Sequence, residues 1–222
     1  MTTANPALSA VLQKLERAAS RDALAFATRE LAALAFSLQD EPAQQQQAIL
    51  ELTALLRSNN PGAALAAVQG LVRCGTPAVV PLLKSLNHGD YGARAWAVRA
   101  LATIGDPRGV EVLLRAVGND IGPSVRQAAA RGLGGLRQGE LTDAAFSDLQ
   151  NRCLDGLLLA CSDEEWVVRY AAMVGLEGLL GQGLGTDERA KARAQLQRHG
   201  SGRSNDTLVV RLRAQQALER QP

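Results

Sequence analysis

Large rings are scarce in this chain. Aromatic residues make up 3% of 222, with two Trp, two Tyr and three Phe. A core cannot rest on so few rings, so it must come from Leu, Ala and Val, the composition of closely packed helices. Histidine is scarcer still: His88 and His199 stand alone and far apart. No nucleophile-and-base set can be assembled from local motifs, and no catalytic residue is assigned. The three cysteines, Cys74, Cys153 and Cys161, are an odd number without zinc-like spacing. That argues against a disulfide framework and a metal site, and for a reducing, cytoplasmic compartment. No run of about 20 apolar residues occurs, so no membrane span is expected. The opening Met1-Thr2-Thr3-Ala4-Asn5-Pro6 shows no basic stretch followed by an apolar one, and no secretory leader is expected. Charge of one sign is missing too. The formal net of +2 makes no case for a polyanion, and nucleic acid is not expected as a partner. Residues 187–222 carry eight Lys/Arg against four Asp/Glu, which reads as a solvated helical face.

What the chain does have is a nine-residue phrase that returns down its length. Val125-Arg126-Gln127-Ala128-Ala129-Ala130-Arg131-Gly132-Leu133 is followed by Val168-Arg169-Tyr170-Ala171-Ala172-Met173-Val174-Gly175-Leu176. Looser copies begin at Ala63, Ala93 and Val210, so the starts lie 30, 32, 43 and 42 residues apart. Helical patterning at this period is the signature of an all-α fold, an α-solenoid of HEAT-like repeats. We expect one array over 1–222, with about five helix pairs in a right-handed curve, 1–60 as atypical capping helices and 61–222 as repeats.

Within the phrase, Ala and Gly let neighbouring helices approach, while the branched residue and Leu pin it to the core. The Arg after the branched residue is expected to tie one repeat to the next through an acid or a carbonyl. Arg94, Arg126, Arg169 and Arg211 hold that position, with Asp90, Asp106, Asp120, Asp163 and Asp206 as candidate partners. Proline and glycine mark the boundaries of twelve helices, near 6–19, 22–38, 42–58, 61–73, 77–87, 91–104, 107–118, 123–136, 141–161, 163–181, 187–198 and 207–220. Asp22 is expected to cap the second. The run Gln44 to Gln47 reads as an exposed turn, and Phe26 and Phe36 as filling for the N-terminal end. Cys153 and Cys74 read as core, and Cys161, at a helix end, as the more exposed thiol.

Every Trp and Tyr falls in two segments: His88-Gly89-Asp90-Tyr91-Gly92-Ala93-Arg94-Ala95-Trp96 and Asp163-Glu164-Glu165-Trp166-Val167-Val168-Arg169-Tyr170. Each joins acid, Arg and rings near a helix start. Such a set suits a flat, conjugated, anionic molecule: rings stack on it, Arg forks a carboxylate, and an acid accepts from ring N–H groups. Tyr91, Trp96, Asp163, Glu164, Trp166, Arg169 and Tyr170 are therefore the candidate site. The plainer alternative is that the rings are half-buried between helices and Asp163 is an N-cap. Gly181-x-Gly183-x-Gly185 follows a helix and is no dinucleotide fingerprint.

The segments Glu165 to Leu176, Asn119 to Leu133 and Tyr91 to Asp106 resemble the E/F-type phycobilin lyases of cyanobacteria, and the widened later spacing resembles the smaller F-type subunit. The resemblance covers about residues 60–220. It implies a heterodimer with an E-type partner that attaches an open-chain tetrapyrrole, phycocyanobilin foremost, to a cysteine of a phycobiliprotein subunit. The bilin is then a substrate, and no permanently bound cofactor is implied. The His/Cys-rich motif of the isomerising members is absent, so isomerisation is not expected. The acceptor thiol would add to the ethylidene group of ring A, with protonation of the neighbouring carbon. A competing reading is a non-catalytic HEAT adaptor in phycobilisome assembly or degradation. A DNA-binding HEAT protein is disfavoured by the weak net charge.

Overall fold

The computed structural model describes residues 5–86, 90–202 and 205–221. Among them are twelve α-helices and no strand. They are α1 (Pro6–Glu16), α2 (Arg21–Ser37), α3 (Pro42–Leu55), α4 (Pro61–Cys74), α5 (Thr76–Ser85), α6 (Tyr91–Ile104), α7 (Val110–Asn119), α8 (Pro123–Leu133), α9 (Asp143–Ala160), α10 (Trp166–Gly181), α11 (Thr186–Gly200) and α12 (Leu208–Arg220). The sequence placed the seventh helix at Pro107, but Pro107–Gly109 forms a 3-10 turn and α7 starts after it.

Local chemistry explains the starts. Pro occupies the first turn of α1, α3, α4, α5 and α8, where its missing N–H needs no partner. Asn5 Oδ1 accepts from the amides of Ala7 and Leu8, at 3.0 and 3.2 Å. Asn60 caps α4 in the same way, and its Nδ2 donates to the Arg21 carbonyl at 2.7 Å, which joins the start of α4 to the start of α2. The cap of α2 is Ser20, not Asp22: Ser20 Oγ accepts from Ala23 N at 3.1 Å. Asp22 instead sits in the first turn, where its charge favours the helix dipole.

The helices form two compact units, Met1–Ile104 and Gly105–Pro222. In the first, α2, α4 and α6 stack in one row and α3 and α5 in another. In the second, α8, α10 and α12 form one row and α7, α9 and α11 the other. Two rows of alternating helices are the HEAT-like pattern that the recurring phrase implied. Helices α1–α3, expected as a cap, share the first unit with α4–α6. The buried core is Leu, Ala, Val, Ile, Cys and Met, with no aromatic ring among the described residues. In the second unit, α8 and α10 approach almost backbone to backbone. A Cβ on Gly178 would lie 2.3 Å from the Gly134 carbonyl oxygen, and one on Gly175 2.7 Å from that of Ala130.

Phe26 is 59% exposed, and Phe36 lies on the surface with the Arg73 guanidinium 4.5 Å from its ring centroid, so neither fills a core end. The glutamine run is not simply an exposed turn: Gln45 is buried, its Nε2 donating to the Ala35 carbonyl at 3.1 Å. Cys161 is buried, as Cys153 is, and Cys74 is the half-buried thiol.

Candidate functional site

The two ring-bearing segments fall in different units, α6 in the first and α10 in the second. In α6, Tyr91 is the first residue and 41% exposed, with the Arg94 guanidinium 5.4 Å from its ring centroid. Trp96, half-buried, has Arg99 at 5.9 Å. Both are cation–π pairs three residues apart on the helix. Asp90 Oδ1 accepts from Ala93 N at 3.1 Å. His88 lies outside the described residues.

In the second unit the geometry is built from repeated arginines. Arg126 of α8 forks Asp163, with Nε to Oδ2 at 2.7 Å and Nη2 to Oδ1 at 2.9 Å. Its Nη1 donates to the carbonyls of Asp120 and Ile121, at 2.9 and 3.3 Å. Arg169 of α10 repeats this on Asp206, with Nε to Oδ2 at 3.0 Å and Nη2 to Oδ1 at 2.7 Å. Its Nη1 donates to the carbonyls of Asp163 and Glu164, at 2.7 and 2.8 Å. The two rungs share a spacing of 37 residues, and Asp163 takes part in both. These are the inter-repeat ties expected of Arg126 and Arg169.

The electrostatics follow. The hydrogen bond that Arg126 donates to Asp163 raises the Arg126 pKa, and the one that Arg169 donates to Asp206 raises that of Arg169. For both carboxylates burial pushes the pKa up. Their hydrogen bonds outweigh it and leave each below the ordinary value: Arg126 and the Glu165 amide for Asp163; Arg169, the Thr207 amide and His199 for Asp206. His199 Nδ1 stands 3.0 Å from Asp206 Oδ2.

The five sequence candidates of this segment therefore divide by role. The fork of Arg169 and the carboxylate of Asp163 are committed to protein partners. Asp163 is no N-cap either: α10 begins after Glu165, and Asp163 Oδ1 accepts from the Glu165 amide at 2.9 Å. Glu164 is exposed, and Trp166 is 44% exposed at the first position of α10. Tyr170, one turn further on the same face, is half-buried.

The repeat register extends this face. Counting three before and one after the phrase arginine gives Trp166 and Tyr170 on α10, and Leu208 and Leu212 on α12. The two helices pack against each other, and the leucines are 63% and 53% exposed. By register, Trp166, Tyr170, Leu208 and Leu212 hold equivalent positions on two adjacent helices, an apolar band none of whose members is buried. The leucines were not among the sequence candidates, although the register alone would have found them. Arg211, expected as a further tie, departs from the pattern: its Nε is buried without a hydrogen-bond partner among the described residues. On the same helix the buried Arg213 pairs with Glu177 of α10.

Burial pushes the thiols of Cys153 and Cys161 up to about 12 and raises that of Cys74. Among the described residues no cluster of three or more His, Cys, Asp or Glu is placed to hold a metal ion. No described helix is long and apolar enough to cross a membrane.

A family model described as HEAT repeats matches residues 79–177. The chain is 45% identical over 177 residues to "Phycocyanin alpha phycocyanobilin lyase CpcF" of Synechocystis sp., covering 80% of this chain and 78% of that protein. It is 40% identical over 216 residues to "Phycocyanobilin lyase subunit beta" of Thermosynechococcus vestitus, covering 96% of this chain and 95% of the relative. Among solved structures, a chain in the complex of CpcE and CpcF of phycocyanin lyase from Nostoc sp. is 38% identical, with a TM-score of 0.69 over 78% of this chain and 98% of that one. Identity of this order over nearly the full length, on a shared fold, means that this chain belongs to the phycobilin lyase family, among its CpcF-type, or beta, subunits.

Proposed function

We propose that this chain is one subunit of a two-subunit lyase, working with an E-type partner to attach phycocyanobilin through a thioether to a cysteine of a phycobiliprotein subunit. The observation that carries the reading is the 40% identity to a phycocyanobilin lyase subunit over 96% of the chain. In the reaction the acceptor's thiol adds to the ethylidene carbon of ring A. A carbon–sulfur bond forms, the exocyclic double bond opens, and the thiol's proton is balanced by protonation of the neighbouring ring carbon. No electrons enter or leave.

The nucleophile belongs to the acceptor, which fits a chain whose cysteines 153 and 161 are buried and held protonated. The lyase's task is to hold the bilin and fix its geometry, and orientation supplies much of the gain in such additions. The band of Trp166, Tyr170, Leu208 and Leu212 offers rings and apolar surface for the conjugated pigment, with Glu164 at its edge to face pyrrole N–H groups. Tyr91 and Trp96 offer a second set of rings on α6. Asp163 and Arg169 act beneath the band as positioning residues. The three free thiols and the acceptor's nature fit a cytoplasmic setting.

The test is co-expression of this chain with an E-type subunit, a phycocyanobilin source and a phycobiliprotein subunit. Pigment that survives denaturing electrophoresis on the acceptor, and is lost when this chain is omitted, is the expected result. Equal covalent pigment without this chain overturns the reading.

A further inference from the structure

The first unit holds two exposed arginines, each stacked on a ring. Arg73 of α4 lies over Phe36 of α2, and Arg99 of α6 lies over Trp96, with guanidinium-to-centroid distances of 4.5 and 5.9 Å. Among the described residues neither guanidinium meets a carboxylate. The two open to the same side of their row. Phe36 reaches Arg73 across the packing of α2 on α4, and α4 packs in turn on α6. The repeat register sets Arg99 level with Gln69, which is exposed one turn before Arg73. Arg73 and Arg99 therefore stand on neighbouring helices, with axes about 10 Å apart, displaced by one turn. A ring covers only one face of a guanidinium. Its N–H groups point outward in the plane and stay free to fork a carboxylate.

The charge around them has one sign. Residues 52–105 include five Lys/Arg and a single acid, Asp90, although the whole chain carries a net of only +2. Asp90 is engaged at the start of α6, its Oδ1 accepting from Ala93 N at 3.1 Å. Helices α4 and α6 contain no acid at all. What suits this face is an anion with two carboxylates on a body flat enough to lie beside the rings. An open-chain tetrapyrrole has this form: two propionates stand on neighbouring pyrroles of one conjugated system, and both forks can be served at once. We propose that Arg73 and Arg99 form the carboxylate-recognition site for the bilin, one propionate to each guanidinium, with Phe36 and Trp96 as the rings that hold them. This rests on the lyase reading given above and adds to it the residues that select for the pigment's acid groups. It also gives Phe36 a role outside the core.

The test uses the complex with the E-type partner, titrated with phycocyanobilin and with its dimethyl ester and followed by visible absorbance. Exposed ion pairs are individually weak, so the two together should make the free acid bind about tenfold more tightly than the ester in wild type. Arg73→Gln and Arg99→Gln should each reduce that preference to about threefold, and the double variant should abolish it. Ester binding should stay at the wild-type level, and the melting midpoint should not move, because both side chains are exposed. The double Lys variant keeps the charge without the fork and should keep only part of the preference. A wild-type complex that does not distinguish acid from ester, or a double Gln variant that still does, overturns the assignment and leaves the lyase reading standing. Loss of the E-type subunit from the double Gln variant in sizing chromatography also overturns it, because the arginines then serve an acidic surface of the partner. A wild-type complex that binds neither form contradicts the lyase reading and the assignment with it.

Discussion

Asp206 gathers four donors: two from Arg169, the Thr207 amide and His199. Its side chain is 6% exposed, so replacing it strands a guanidinium in a poorly hydrated place. Asp206→Asn should cost about 3 kcal/mol of stability at neutral pH. The sign of the pH dependence follows from the direction of the shift. The folded pKa of Asp206 lies below the ordinary 3.8, so its contribution is fully present above that value and disappears as pH falls through the lower, folded one. Urea unfolding at pH 7 and at successively lower pH should show the gap between wild type and Asp206→Asn closing below about 4; a gap that stays constant down to pH 2 would contradict the pairing. The cysteines supply a second check at this scale. Cys74 should react first with iodoacetamide, because Cys153 and Cys161 are buried and held protonated. Labelling of Cys153 in the folded protein at a rate like that of Cys74 would contradict the packing of α9.

At the scale of elements, the contact of α8 with α10 depends on glycine. Gly178→Ala would press a methyl group against the Gly134 carbonyl, which is backbone and cannot turn aside. The helices must separate, at a cost of about 1–3 kcal/mol, measurable as a fall in melting temperature with helicity retained. Most of these elements were legible in the sequence because proline, glycine and the recurring phrase mark helix ends directly. The ties of Arg126 and Arg169 were legible for the same reason, since the phrase repeats its position. Other features were not. Four successive glutamines contain no signal for which one faces inward, and only the packing of α3 on α2 selects Gln45. Phe26 and Phe36 were assigned to a core on hydrophobicity alone, while Leu and Ala already fill that core. For Arg169 and Asp163 the sequence supports both a tie and a ligand role, and only the pairing across 37 residues assigns them to the ties. Leu208 and Leu212 carry no local signal, because leucine is common along the chain and only the repeat register singles them out.

The molecule as a whole combines a frame with a surface. Rungs of Arg and Asp, glycine contacts and an aliphatic core fix the helices of the second unit. The rings of Trp166 and Tyr170 lie outside that core, and neither is buried. Rings on the surface are what the proposed bilin-contacting face needs, and kinship with phycocyanobilin lyase subunits supports that proposal. The central claim is that this surface handles the bilin while the frame only holds it. The direct test is bilin transfer to a phycobiliprotein subunit by the complex with the E-type partner, comparing wild type with Trp166→Ala. Stacking contributes about 1 kcal/mol per ring beyond burial, and lost contact area adds to this, so transfer at limiting bilin should fall by roughly tenfold. Because Trp166 is 44% exposed, its melting temperature should stay near that of wild type. Unchanged transfer by a folded Trp166→Ala complex, or a collapse in melting temperature that accounts for the loss, would contradict the account.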